Sequence, residues 1–213
     1  MCMGADLSCP SPIHRPAVDY ETIASNSLIA PRKRIILIGM KGCGKTTVGI
    51  LLAQTLQIPF IDADVEIESM HRREKGETLS FRQIFQRYGQ PYFQALDTRT
   101  LQHIASAYEK MNFVFASGGR TPLQAENQDI LSDLGTIIFL NVHRAVLLKR
   151  ILAQGIPAFF PYPHDPERSL DELLMQRAPV YQRLANLTID IGAETAKEIV
   201  HTILLKLRTY EQH

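Results

Sequence analysis

Apolar positions along this chain fall into short unbroken runs that alternate with stretches of helical period. Arg34-Ile35-Ile36-Leu37-Ile38 is rich in β-branched residues and polar at neither interior position, the pattern of a strand buried on both faces of a parallel sheet. Similar runs occur at Ile58–Ile61, Asn112–Ala116, Thr136–Leu140 and Leu187–Ile191. Between them, apolar residues recur every three or four positions. Val48, Leu51, Leu52 and Leu56 predict one helix, and a second is expected to start at Asp64 and carry Val65, Ile67 and Met70. Phe81, Ile84 and Phe85 predict a helix over 79–88 that Gly89 stops, followed by another over 92–108 through Phe93, Leu96, Leu101 and Ile104. Further helices are expected over 124–134 and 144–153, from a capping-box-like Ser169-Leu170-Asp171-Glu172 to about Arg177, and through Val200, Ile203, Leu204 and Leu207. Strands alternating with helices predict an α/β fold with a parallel sheet. The charged run His71–Lys75 reads as a solvated face or loop.

The first strand leads into Gly39-Met40-Lys41-Gly42-Cys43-Gly44-Lys45-Thr46-Thr47, which fits G-x-x-x-x-G-K-[ST]. Strand, glycine loop and helix form the context this phosphate-binding loop requires. Gly39, Gly42 and Gly44 let successive backbone N–H groups, including that of Cys43, turn toward an anion, and the helix N-terminus adds its dipole. Lys45 is expected to reach the β- and γ-phosphates, the Thr46 hydroxyl to take Mg²⁺, and Thr47 to extend the nucleotide site. Ligands of an open parallel sheet bind outside the carboxyl ends of its strands. Two other strands end there in Asp62-Ala63-Asp64 and Ser117-Gly118-Gly119, so these loops are expected to converge with the P-loop on one crevice. Asp62 and Asp64 divide two tasks in this reading, one carboxylate facing the metal and the other the acceptor hydroxyl, unless Asp64 serves to cap the following helix. Neither Ser117 nor Asn141, at the ends of the third and fourth strands, is the Asp of a Walker B strand, which favours small kinases over motor-type and transport ATPases.

Bulk properties narrow the class further. A chain of 213 residues fits one domain with an extension, and Pro10, Pro12, Pro16 and Pro31 mark residues 1–31 as that extension, followed by a kinase domain over 32–213. A formal charge of +1 argues against a nucleic-acid or membrane footprint. Cys2, Cys9 and Cys43 have no metal-ligand spacing, so a reduced, cytoplasmic protein is expected.

These pieces resemble the shikimate kinase family. The match rests on Gly39–Thr47, Phe60-Ile61-Asp62-Ala63-Asp64 with Glu68, Ile84-Phe85 followed by Tyr88-Gly89 and Phe93, Ser117-Gly118-Gly119, and Arg177-Ala178-Pro179-Val180-Tyr181. The resemblance implies a three-layer P-loop fold with a five-stranded parallel sheet in the order 2-3-1-4-5. It implies transfer of phosphate from ATP, with Mg²⁺, to the 3-hydroxyl of shikimate; a monomer is expected. Carried over by position, Asp62 stands on the metal side and Asp64 contacts the acceptor hydroxyl. Gly118 and Gly119 line the acceptor pocket, Arg177 grips the carboxylate, Arg150 lies against adenine, and residues 155–168 form a lid.

The departures gather in the acceptor half. Gln94 replaces an arginine, Asp97 a glutamate, Arg120 a third glycine and Ile156 a lid arginine, and the segment between Glu68 and Gln83 is longer. Losing one partner of a buried ion pair costs about 3–5 kcal/mol, so Gln94 alone cannot support carboxylate binding of family type. Either Arg120 supplies the missing guanidinium, or the acceptor is a different polyol or sugar acid. Arg168 or His164 is the candidate replacement for the lid arginine. A third reading, a non-catalytic nucleotide-binding module, is opposed by the retention of Lys45, Thr46, Asp62 and Asp64.

Overall fold

The five runs become five strands of one sheet, the central ones buried on both faces and the two edge strands only in part. The computed structural model describes residues 33–157 and 159–210, so the expected extension over 1–31 lies outside the described residues, as do Cys2 and Cys9. The strands are β1 (Arg34–Ile38), β2 (Phe60–Asp62), β3 (Phe113–Ala116), β4 (Thr136–Val142) and β5 (Leu187–Ile191). They pair in parallel in the order β2-β3-β1-β4-β5, as the family resemblance implied. β1 lies centrally, with Ile36 opposite Phe115 on one side and Ile137 on the other. All of Ile35, Ile36, Leu37 and Ile38 are buried.

Helices α1 (Lys45–Leu56), α2 (Ala63–Lys75), α3 (Phe81–Ala107), α4 (Ala125–Leu134), α5 (Arg144–Leu152), α6 (Pro166–Leu184) and α7 (Ala196–Tyr210) connect and flank the strands. The main core surrounds the sheet. A second, smaller core of Ile67, Ile84 and Leu96 joins α2 to α3, with Met70, Phe81, Tyr88, Tyr92 and Phe93 packed around it. The α2–α3 pair therefore has an apolar centre of its own.

Several boundaries differ from the sequence expectation, each for a physical reason. α2 starts at Ala63, and its N-cap is Asp62, whose Oδ1 accepts from the Asp64 N–H at 3.0 Å, so the cap falls on Asp62 and not on Asp64. Residues two apart on a continuing strand would share a face. The break from strand to helix at Ala63 is what sets the two carboxylates differently. α2 also runs through the charged stretch to Lys75. His71, four positions after Ile67 and on its face, is fully buried against Tyr88 and Tyr92, whereas Arg72–Lys75 are exposed. The helices expected on either side of Gly89 follow one another directly, and Gly89 breaks them with φ 76° and ψ 177°. Ser80 starts α3 through a reciprocal capping box with Gln83. α6 begins three residues before the expected Ser169, capped by Asp165, and continues past Pro179 to Leu184. Ser169 is instead buried in its first turns, where its hydroxyl bonds both the N–H and the carbonyl of Tyr162.

Candidate active site

Backbone sterics shape the phosphate loop. Gly39 has φ 141°, and a Cβ there would stand 2.9 Å from the Leu140 carbonyl and 3.0 Å from Cys43 Sγ, so only glycine lets the loop fold onto β4. Cys43 is accordingly buried, at 1% exposure. Gly44, at φ 98°, ends the loop and is the N-cap of α1. The Lys45 ammonium donates to the carbonyls of Gly39 at 2.9 Å and Met40 at 3.2 Å, bending back across the mouth of the loop. Thr46 and Thr47 are exposed on the first turn of α1. Arg150, from the last turn of α5, donates to the Cys43 carbonyl at 3.5 Å, which brings it over the outer side of the same loop.

The end of β2 meets this loop directly. Thr46 Oγ1 donates to Asp62 Oδ2 at 2.8 Å, while the other oxygen of Asp62 caps α2. Each carboxylate oxygen thus has a task, and the side chain is fixed. Asp64, the second residue of α2, is partly buried. Burial, and then the neighbouring Asp62 charge, raises its pKa to about 6, and the cations Lys45 and Lys41 partly offset the rise. A carboxyl group poised near neutrality beside the P-loop lysine is suited to accept a proton from a hydroxyl.

The β3 loop completes the crevice. Gly119 lies in contact with the P-loop backbone, its Cβ position 3.5 Å from the Gly39 carbonyl and the Lys41 N–H nitrogen. A Cβ on Gly118 would stand 2.8 Å from Thr121 Oγ1. The loop is held from beneath by Asp97, which is 5% exposed and accepts from Thr121 Oγ1 at 3.0 Å, Gln124 Nε2 at 2.9 Å and Asn127 Nδ2 at 3.3 Å. Burial raises the Asp97 pKa to about 6 even so. From the opposite side, the Tyr181 hydroxyl donates to the Gly119 carbonyl at 2.5 Å. Burial pushes the Tyr181 pKa far up, so it remains a donor.

Arg177 lies one helical turn before Tyr181 and is 6% exposed. Its neighbours are soft: Met40 Sδ at 3.9 Å and the Phe159 ring at 5.6 Å from Cζ, with no carboxylate paired to it among the described residues. Desolvation lowers its pKa, and the charge of Arg120 acts in the same direction, which locates Arg120 on this side of the pocket. Arg120 itself is exposed. Gln94 is half-buried in α3, three positions before Asp97. In the expected lid, Ile156 is 52% exposed, Arg168 stacks on the Tyr162 ring at 4.1 Å, and Phe160 is buried in the core.

Comparison with known proteins decides the family. The family model for shikimate kinase matches residues 41–208. The chain belongs to the shikimate kinase family. It is 34% identical over 172 residues to the shikimate kinase of Caldanaerobacter subterraneus subsp. tengcongensis, covering 81% of this chain and 94% of that protein. It is 35% identical over 173 residues to the shikimate kinase of Methylococcus capsulatus, covering 81% and 91%. Among solved structures, the shikimate kinase of Acinetobacter baumannii in complex with shikimate is similar, at 30% identity and a TM-score of 0.73 over 84% of this chain and 94% of that one.

Within this shikimate kinase framework, the sequence reading gave no role to four side chains that shape the crevice. Asp97 had a visible signal, since a carboxylate on the buried stripe Phe93-Leu96-Leu101-Ile104 implies a hydrogen-bonded network. Tyr181 had one too, being four residues after Arg177 and so on the same helix face. Lys41 occupies an unspecified position of the P-loop pattern, and Phe159 lies in an aperiodic loop. No local rule points to either.

Proposed function

We propose that this protein transfers the γ-phosphoryl group of ATP to the 3-hydroxyl of shikimate. The observation that carries this reading is the placement of Asp64, a partly buried carboxyl group in the first turn of α2, next to the Asp62 that bonds the P-loop threonine. ATP lies along Gly39–Thr47, where its phosphates draw Lys45 away from the loop carbonyls, and Arg150 flanks the adenine. Arg177, a buried cation without a carboxylate partner, takes the carboxylate of shikimate, with Arg120 as a second positive charge nearby. Gly118, Gly119 and Gln94 line the acceptor. Asp64 accepts the hydroxyl proton as the oxygen attacks the γ-phosphorus. The bond from that phosphorus to the bridging oxygen of the β-phosphate breaks, and ADP leaves.

Mg²⁺ suits the residues present. Thr46 Oγ1 and Asp62 Oδ2 are hard oxygen donors 2.8 Å apart, and Mg²⁺ binds through one or two protein oxygens, with phosphates and waters for the rest. When bound, the ion neutralises charge on the β- and γ-phosphates.

Gln94 and Arg120 depart from the family pattern, but the shikimate kinase relatives do not favour the alternative acceptors, another polyol or sugar acid. ADP release measured across shikimate, quinate and gluconate separates the readings. Shikimate is expected to give the highest kcat/KM. A clear preference for another acid supports the alternative, and ATP binding without stimulation by any acceptor supports a nucleotide-binding module.

A further inference from the structure

The P-loop pattern leaves position 41 unspecified, and this chain places a second lysine there. The Lys41 ammonium lies 5.9 Å from the centroid of Phe81, the first residue of α3, and 5.7 Å from that of Phe159, in the segment between α5 and α6. The same Phe159 ring carries the Arg177 guanidinium at 5.6 Å. One aromatic side chain is thus shared by a cation from the P-loop and a cation from α6. Lys41 is half-buried and has no acidic partner within ion-pair distance among the described residues. Burial lowers its pKa most, Arg82 and Lys45 lower it further, and Asp64 raises it. Contacts near 6 Å to a ring lie at the outer limit of cation–π attraction, so an anion entering the crevice competes readily for this ammonium.

Charge accounting shows what that anion is. Asp62 and Asp64 already place two carboxyl groups beside the P-loop, and the acceptor read above brings a third. Gln94 is neutral, and Arg120 is exposed, so water and salt screen its charge. Lys45 is committed to the phosphates. Lys41 and Arg177 are the less exposed cations that remain, and they face one ring from two elements. We propose that Lys41 is a specificity-determining residue of the acceptor site, its ammonium pairing with the acceptor carboxylate from the P-loop side while Arg177 holds it from α6. The Phe159 ring occupies the gap between the two cations and gives way to the carboxylate. This inference rests on the shikimate reading.

The test compares Lys41→Met and Lys41→Arg with the wild type, using shikimate and its uncharged methyl ester as acceptors. Loss of a hydrogen bond to a charged group predicts that Lys41→Met raises the KM for shikimate about tenfold or more. The KM for ATP stays the same, the ester changes less than twofold, and Lys41→Arg stays within a few fold of wild type for both. Equal losses for acid and ester overturn the proposal, as does a rise confined to the KM for ATP. A shifted acid limb with an unchanged shikimate KM also overturns it, because Lys41 would then act through Asp64. If Lys41→Met does not fold, as judged by its melting temperature, Lys41→Gln is read by the same criteria. An active wild type with an unaffected Lys41 variant overturns this proposal alone. A wild type that releases no ADP on addition of shikimate overturns the functional reading first, and the role of Lys41 with it.

Discussion

Asp64 shows how one side chain acquires its chemistry from its surroundings. Removing it from water raises its pKa to about 6, and Asp62 adds to the rise. As a base it must be ionised, so kcat/KM for the acceptor should climb with pH through a midpoint near 6. Asp64→Asn should lower kcat about 10²–10⁴-fold, the usual contribution of a positioned general base, while ATP affinity stays within a few fold. A pH–rate profile that is flat between 5 and 7 would count against Asp64 as the base. Arg120 is a second residue-scale test. If its guanidinium reads the acceptor carboxylate, Arg120→Ala raises the KM for shikimate several-fold, a modest effect because the side chain is exposed. An unchanged KM removes it from the site. The positions of Lys45, Thr46, Asp62, Asp64 and Arg177 around the P-loop were legible in the sequence because each lies in a motif of fixed spacing. Lys41 and Phe159 were not, since their partners come from elements distant in sequence and only folding brings them to one ring.

At the scale of elements, the acceptor half depends on a small centre. Ile67, Ile84 and Leu96 join α2 to α3, apart from the larger core around the sheet, and Arg99 reinforces the pair with two bonds to Glu74 at 2.9 and 2.8 Å. Less buried apolar surface means less protection against local opening. Amide exchange should therefore be faster in α2 and the first half of α3 than in β1 and β3, and shikimate with ADP should slow it. Exchange as slow as that of the sheet would contradict the two-core description. The strands were legible because a strand buried on both faces leaves an unbroken apolar run. Helix ends were less so. α6 was expected to stop near Arg177, as a proline disfavours helix in the residue before it. Burial of Leu173, Arg177 and Tyr181 on one face carries the helix through Pro179 despite the lost hydrogen bond. The start of α2 was misplaced by one residue because Asp62 both ends a strand and caps a helix.

For the molecule as a whole, Asp64 and Asp97 are costs of building the site. Both have pKa values raised from 3.8 to about 6 in the folded protein. Between those values the folded state binds more protons than the unfolded chain, so stability falls as pH rises from about 4 through about 6. The linkage amounts to about 3 kcal/mol for Asp97 when fully developed. Asp97→Asn should flatten this part of the stability–pH curve in urea unfolding. The same slope in wild type and variant would show that Asp97 ionises normally when folded. Some of the cost is recovered in function, because the three bonds to Asp97 hold the turn that places Gly118 and Gly119 against the P-loop. If this crevice joins the γ-phosphoryl group of ATP to one hydroxyl of shikimate, phosphorus NMR of the reaction mixture shows the transferred phosphate itself. Equimolar ADP and a monoester resonance coupled to the proton on carbon 3 of shikimate are expected. Inorganic phosphate alone, or a phosphate on another carbon, would contradict that transfer.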